Sequence, residues 1–182
     1  MLKITGIEID QEPDPYTSVL VLNAGARKGP KCPKEHWLYV PRSRSGFHRV
    51  GFYSNVDRRF LPRSVQQESD RVAIYVEQAY RGGEKPADAE RVKQEMLAEL
   101  TEWGWIGELD VADVTWVDVA YTWSLPGSTW RTKGLNSLAQ HGIYQVGRYG
   151  SWAPEVTGQG IAVSLKAGLS AGAVVGLLQG QH

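Results

Sequence analysis

The order of hydrophobic periodicities constrains the fold of this chain more than any single motif. Strand-like segments follow one another without a helical pattern between them, at 2–9, 17–24, 36–41, 48–54 and 71–80. The βαβ units that build parallel sheets are therefore absent from this part of the chain. We predict an α+β protein with an antiparallel or mixed sheet and flanking helices.

The hydrophobic period changes to that of a helix after the fifth strand-like segment. Apolar residues recur three or four positions apart within 89–104, namely Val92, Met96, Leu100 and Trp103. Pro86 or Asp88 can begin this helix, and Gly104 can end it. The sequence therefore predicts one amphipathic helix that packs on the sheet.

The C-terminal part of the chain has a different order of elements. A strand is predicted at 114–123, a short helix at 129–142 and a short apolar strand at 143–146. A glycine turn and a final helix follow, in the manner of a layered α/β sheet. We expect two parts: a sheet-and-helix domain over 1–126, and a helix–strand–helix segment over 127–182.

The glycine turn "GRYGSWAPEVTGQG" at 147–160 is a candidate binding element. Thr157 is a plausible N-cap of the last helix, and Gly158 and Gly160 leave the first-turn N–H groups uncovered. Such a helix N-terminus suits a phosphate or another oxygen with partial negative charge. The spacing matches neither a Walker loop nor GxGxxG.

Charge is unevenly distributed along a chain whose net charge is zero. Residues 27–63 hold ten Lys/Arg and two Asp/Glu (10 − 2 = +8), and residues 84–118 hold three Lys/Arg and ten Asp/Glu (3 − 10 = −7). These segments are either two solvated surfaces or, for some arginines, a surface that faces an anionic ligand. The neutral total and the lack of a recognised motif predict no nucleic-acid partner.

Composition narrows the remaining classes of function. The one cysteine, Cys32, excludes an internal disulfide and a Cys/His zinc set, and the four histidines do not have metal-ligand spacing. No signal-peptide pattern opens the sequence, so we expect a cytoplasmic protein. The segment 161–178 carries Lys166 and is built of small residues, so we expect no integral membrane segment.

Four strand positions are candidates for contact with a substrate. Arg49 lies within the strand-like "HRVGFYS", where its charge either pairs with an acidic neighbour such as Glu77 or faces an anionic substrate. Tyr53, Tyr121 and Trp123 are aromatic strand positions. Their rings either pack on the sheet or bind a flat ligand ring.

Several segments together resemble a known family. The resemblance lies in "HWLYVPRSRSGFHRVGFYSNV" (36–56), "IYVE" (74–77), "AYTW" (120–123) and "GIYQVGRYGSWAPEVTGQGIAVSLKAG" (142–168). These are similar to motifs of the FAD-dependent amine-oxidase-like flavoproteins, in the branch of protoporphyrinogen-oxidase-like and UDP-galactopyranose-mutase-like proteins. The match covers roughly residues 36–170.

The resemblance implies a flavin site. In this class FAD is held mainly by a Rossmann unit, and the C-terminal motif directs its last helix at the flavin. Carried over by position, the FAD contacts would be Gly147, Arg148, Tyr149, Gly150, Trp152, Thr157, Gly158 and Gln159. The middle of the chain would be the substrate domain, in which Arg49, Tyr53, Tyr121 and Trp123 face a small-molecule substrate.

The sequence departs from the family in two places. It contains no GxGxxG with an acidic residue about 20 positions further on. It also has Gly158 near the start of the last helix, where the branch usually has Asp. We therefore expect FAD to be shared with a Rossmann-type partner chain. The alternative is a non-catalytic module, derived from such a flavoprotein, that pairs with itself or with another protein. An amine, a porphyrinogen-like ring, a polyene and a nucleotide sugar all remain possible substrates.

Overall fold

The computed structural model describes residues 2–123 and 125–145. These residues divide into two compact units. One unit is Pro15–Thr122, and the other contains the described residues on either side of that range. The boundary that we predict between residues 126 and 127 remains a prediction.

The elements follow one another in the order strand, strand, strand, helix, strand, helix, strand, helix after a short N-terminal helix. They are α1 (Leu2–Thr5), β1 (Tyr16–Lys28), β2 (Trp37–Tyr39), β3 (Arg49–Phe52), α2 (Tyr53–Val56), β4 (Arg71–Arg81), α3 (Ala89–Glu102), β5 (Ile106–Thr122) and α4 (Trp130–Gln140). Two short 3₁₀ turns, Arg58–Phe60 and Arg63–Val65, connect α2 to β4.

The five strands form one open sheet in the order β2-β3-β4-β1-β5, and every neighbouring pair is antiparallel. The long strand β1 lies between β4 and β5, and its pairing with β5 contains register shifts. This arrangement confirms the predicted α+β class and resolves the choice between an antiparallel and a mixed sheet. The predicted hairpin at 36–54 is confirmed as the pair β2 and β3.

One face of the sheet, called here the covered face, packs against α3 and carries the core. Strand side chains alternate between the two faces. Leu20, Leu22 and Ala24 of β1 therefore share the covered face with Val72, Ile74 and Val76 of β4. Helix α3 adds Val92, Met96, Leu97 and Leu100 to the same cluster. An aromatic layer of Phe47, Trp103, Phe52 and Trp105 completes it, with ring centroids 4.9 to 5.9 Å apart.

Helix α3 begins and ends where the sequence predicts. Asp88 is the N-cap, and its side chain accepts a hydrogen bond of 2.9 Å from the backbone N–H of Arg91. Gly104 follows the helix with φ +72°, a left-handed conformation that suits glycine. A Cβ on Gly29 would lie 2.2 Å from the carbonyl oxygen of Gly104, so the end of the helix is held closely against the loop after β1.

The predicted strand at 2–9 is wrong. Residues 2–5 form the short helix α1, and Gly6 follows with φ +69°. The left-handed glycine interrupts the extended run, and no strand of the described chain pairs with this segment. The strand predicted at 114–123 is present but begins earlier, at Ile106, because β1 is long enough to pair with the added residues.

The second unit contains α4 and the N-terminal segment. Ser128 donates a hydrogen bond to the carboxylate of Asp14 at 2.7 Å, and Thr129 donates one to Gln11 at 3.0 Å. The segment before β1 is thereby attached to the start of the predicted helix at 129–142. Residues 143–145 lie in no strand, and the rest of the predicted final strand, turn and helix lies outside the described residues.

None of the described helices is both long and apolar enough to cross a lipid bilayer. The weak membrane candidate at 161–178 lies outside the described residues.

Candidate functional site on the open sheet face

The face of the sheet opposite α3, called here the open face, carries a mixture of aromatic, charged and apolar side chains. It follows from strand alternation, because residues between the core positions must point to the other side. Trp37 and Tyr39 of β2 are 52% and 64% exposed on it. The residues that define the face are Val21, Asn23, Trp37, Tyr39, Arg49, Gly51, Tyr75, Glu77, Val111 and Tyr121.

An ion pair lies at the centre of the open face. Arg49 of β3 and Glu77 of β4 are direct cross-strand partners, and Nη2 of Arg49 lies 2.6 and 2.5 Å from the two carboxylate oxygens. The same nitrogen donates a 2.9 Å hydrogen bond to the hydroxyl of Tyr121 on β5. The side chains of Arg49 and Glu77 are only 24% and 11% exposed. The pair therefore joins three strands in a partly desolvated position.

The electrostatics of this cluster favour a charged pair beside a neutral imidazole. Burial opposes the charge of Arg49, but the hydrogen bond and the attraction to Glu77 outweigh it and raise the pKa of Arg49. Burial lowers the pKa of His48, although Glu77 lies 3.9 Å away and acts in the opposite direction. His48 is therefore neutral at pH 7, and it does not act as an imidazolium acid at that pH.

Two nitrogens of the cluster have no hydrogen-bond partner. Nε of Arg49 and Nδ1 of His48 are buried, and neither bonds to any group in the described part of the chain. Unpaired buried polar atoms are uncommon in folded proteins. The guanidinium of Arg49 is thus hydrogen-bonded through Nη2, while its Nε is unpaired.

A row of tyrosines borders the ion pair. The ring of Tyr75 lies over Gly51, where a Cβ would come within 1.9 Å of Cε1, so a residue with a side chain at position 51 would displace the ring. Tyr53 packs on Tyr75 with ring centroids 4.9 Å apart, and its hydroxyl donates to Asn23 at 3.4 Å. Burial raises the pKa of both Tyr53 and Tyr75, so both phenols stay protonated at neutral pH.

The structure brings three of the four substrate candidates to one surface. Arg49 and Tyr121 are in direct contact, and Tyr53 joins them through Tyr75. Trp123 belongs to the other unit and is 45% exposed. The eight residues that the resemblance assigns to FAD, from Gly147 to Gln159, lie outside the described residues.

Of the two roles considered for Arg49, the pairing with Glu77 is present. Sequence reasoning missed Tyr75 and Asn23 as members of the site. The available signal was strand alternation. Tyr75 is next to the core residue Ile74, and Asn23 lies between the core residues Leu22 and Ala24, so both must point to the opposite face. The described residues contain no group of three or more His, Cys, Asp or Glu that could hold a metal ion. The open face therefore offers rings, hydroxyls and one guanidinium, which suit binding and orientation of an organic ligand.

Comparisons with known proteins give a likeness of fold. No family model matches the sequence, and no curated protein matches it. Among solved structures, the chain is similar to reduced UDP-galactopyranose mutase, with a TM-score of 0.61 and 21% sequence identity. The match covers 78% of this chain and 30% of the mutase chain.

At this identity the likeness defines the fold. The chain is similar in fold to part of a UDP-galactopyranose mutase, and it spans less than a third of that protein's length. The solved structure belongs to the same branch of proteins that the sequence motifs resemble.

Proposed function

We propose that this chain is the substrate-domain and flavin-contacting part of an FAD-dependent oxidoreductase of the amine-oxidase-like class. The observation that carries the proposal is the open face, a sheet surface with Arg49, Glu77 and Tyr121 bonded together at its centre. Its support is the structural likeness to part of a UDP-galactopyranose mutase, together with the sequence motifs.

The chemistry of the open face suits one side of a binding cavity for a small molecule. Aromatic side chains such as Trp37, Tyr39 and Tyr53 provide flat apolar surface for a ligand ring. Tyr121 is held by Arg49, so its hydroxyl has a fixed position from which to contact the ligand.

In this proposal FAD contacts the C-terminal motif, from Gly147 to Gln159, and a Rossmann-type unit outside these 182 residues completes the FAD site. When bound, the flavin supplies the redox chemistry, and the protein supplies orientation and the electrostatic environment. The described residues belong to the substrate side, where they bind and orient the substrate and exclude water. We place the protein in the cytoplasm on the basis of its single cysteine.

The test is the flavin content of the chain with and without its natural partners. When the chain is purified from its own cells under mild conditions, we expect the sample to show flavin absorption. We also expect a second polypeptide with a GxGxxG motif to co-purify with it. The same chain produced alone and mixed with FAD is expected to remain colourless after gel filtration. A yellow chain without a partner contradicts the shared site, and native material without flavin contradicts the function itself.

A matched pair of arginine variants tests the C-terminal motif. Arg148→Ala removes a residue that the resemblance assigns to FAD, so the flavin content of native complexes should fall. Arg81→Ala removes an arginine at the exposed end of β4 and should leave flavin content unchanged. Equal flavin content in both variants would remove Arg148 from the proposed site.

A second candidate function, a non-catalytic partner-binding module, is favoured by one feature. Strand β5 is 17 residues long and lies at the sheet edge. Its exposed apolar side chains are Leu109, Val111, Val117, Val119 and Tyr121. Long apolar edge strands attract further strands. Val119→Lys should abolish association with a partner or with a second copy in sedimentation analysis, and unchanged association would argue against this role for β5.

A further inference from the structure

A cleft opens at the N-terminal end of α3, away from the open face. It has a volume of about 520 Å³, which is within the range of sites for small molecules. Its walls come from β4, from the start of α3, from the turn before α3 and from the loop that precedes β3. The residues that line it are Ser45, Gln78, Tyr80, Pro86, Ala87, Asp88, Arg91, Val92 and Glu95.

Two polar atoms in the wall of this cleft have no partner. Oε1 of Gln78 and the hydroxyl oxygen of Tyr80 are buried, and neither is hydrogen-bonded within the described part of the chain. Both residues occupy the last positions of β4 on the covered face, beyond the core residue Val76. A buried acceptor without a donor is costly, and a ligand donor that enters the cleft would remove that cost after a small rotation of either side chain.

The charges around the cleft favour a positively charged ligand. Asp88 and Glu95 contribute two carboxylates, and Arg91 contributes one guanidinium, so the lining is net negative. Nε of Arg91 lies 3.6 Å from Glu95, while one oxygen of Asp88 is used to cap the helix. The remaining carboxylate oxygens are free to accept hydrogen bonds from an ammonium group.

The rest of the lining is apolar and aromatic. The ring of Tyr80 packs against Trp116 with centroids 5.6 Å apart and is fixed by that contact. Val92, Pro86 and Ala87 add apolar surface to the lining. Burial and the nearby carboxylate of Glu95 raise the pKa of Tyr80, so its phenol stays neutral and able to donate or accept. A ring beside carboxylates is a favourable environment for a cation.

We propose that this cleft binds a small organic amine in its ammonium form, with an aromatic or apolar body. The ammonium donates to Glu95 and to Oε1 of Gln78, and the body packs between Tyr80 and Val92. The site lies on the covered side of the sheet and does not depend on the flavin function proposed for the open face.

The first test uses benzylamine as the probe and phenylacetate as a control of similar size and opposite charge. Benzylamine titrated into the ¹⁵N-labelled chain should cause saturable shifts of the amide signals of Gln78, Tyr80 and Val92. Phenylacetate at the same concentration should cause none. Equal responses to both compounds, or no response to benzylamine, would overturn the proposal.

The second test uses two substitutions on the same helix. Glu95→Gln removes a carboxylate of the cleft and should weaken benzylamine binding about threefold to fivefold, since Glu95 is half exposed. Glu90→Gln makes the same chemical change outside the cleft, where Glu90 pairs with Lys93, and should leave binding unchanged. Both carboxylates are solvent-accessible, and far-UV circular dichroism establishes that each variant is folded. Equal affinities of Glu95→Gln and the unsubstituted chain would contradict the site.

Discussion

The two faces of the sheet are built from the same strands and have opposite character. Along β4, Ile74 and Val76 point to the covered face and are fully buried against α3, whereas Tyr75 and Glu77 point to the open face. The covered face is a continuous apolar cluster. The open face instead holds an ion pair, a row of tyrosines and exposed aromatic residues.

This difference separates the residues whose presence is explained by their contribution to stability from those that need another explanation. Apolar residues on the covered face follow from the hydrophobic effect alone. A partly desolvated ion pair such as Arg49–Glu77 is a weak source of stability, because desolvation offsets much of the attraction. An ion pair at the centre of the open face is what we expect if that face receives a ligand, as proposed above. Predictions on the two faces therefore differ in kind and in size.

The largest effect is expected from the covered face. Phe52→Ala removes a ring that is fully buried against Trp105 and should lower the free energy of unfolding by about 3–5 kcal/mol. Tyr39→Ala, on the neighbouring strand but 64% exposed on the open face, should cost less than about 1 kcal/mol. Urea unfolding of both variants measures the contrast, and similar losses would mean that the two faces are not distinct.

The ion pair should show strong coupling. Arg49→Met leaves the carboxylate of Glu77 buried without its partner and should cost about 2–4 kcal/mol. In the double variant Arg49→Met/Glu77→Leu no buried charge remains, so most of this loss should be recovered. A double-mutant cycle by urea unfolding measures the coupling. Additive losses would contradict the partly desolvated pair.

Glu99 of α3 provides a pH-dependent contrast on the covered side. Its carboxylate is buried and accepts hydrogen bonds of 2.7 to 2.8 Å from the backbone of Arg44 and from the backbone and hydroxyl of Ser45. Burial raises the pKa of Glu99, but these hydrogen bonds outweigh burial and lower it below the ordinary value of 4.5. Its stabilisation is therefore complete above that value and disappears as pH falls through the lowered pKa.

Glu99→Gln should consequently cost about 1–3 kcal/mol at pH 7 and progressively less below about pH 4. Thermal unfolding at several pH values measures the change. Glu102 lies on the same helix as Glu99 and forms an exposed ion pair with Arg44, so Glu102→Gln should have little effect at any pH. A loss for Glu99→Gln that does not depend on pH would contradict the role of the carboxylate.

The smallest effect is expected where Tyr75 packs over Gly51. Gly51→Ala places a methyl group inside the position of the Tyr75 ring and should cost about 1–2 kcal/mol, because the ring must move away. In a Tyr75→Ala background the same substitution should cost little, since the ring is absent. Urea unfolding of the four variants measures this, and an equal cost in both backgrounds would argue against the contact.

Elements with strong local signals could be predicted from the sequence. The helix at 89–104 has apolar spacing, a capping aspartate and a terminal glycine, all of which act within a few residues. The hairpin of β2 and β3 was also predicted because its strands are adjacent in the chain. The segment 2–9 has strand-like composition, but a strand requires a partner, and the sequence does not state whether one is available.

The site could be predicted only in part. Arg49 and Glu77 were identified as possible partners, yet their contact depends on the register of β3 against β4, which is fixed by long-range pairing. The contact of Arg49 with Tyr121 reaches from β3 across β4 and β1 to β5, and no local pattern encodes it. Tyr75 belongs to the site because Gly51 opposite it has no side chain, a relation visible only once the strands are aligned.

The most direct test of the central claim is the solvent exposure of the open face in the native complex. Hydroxyl-radical labelling of Trp37, Tyr39 and Tyr121 should fall several-fold between the isolated chain and the flavin-containing complex purified from its own cells. Labelling of Trp103 and Trp105, in the aromatic layer of the covered face, should stay the same. Unchanged labelling of the open-face residues in a flavin-containing complex would contradict the account.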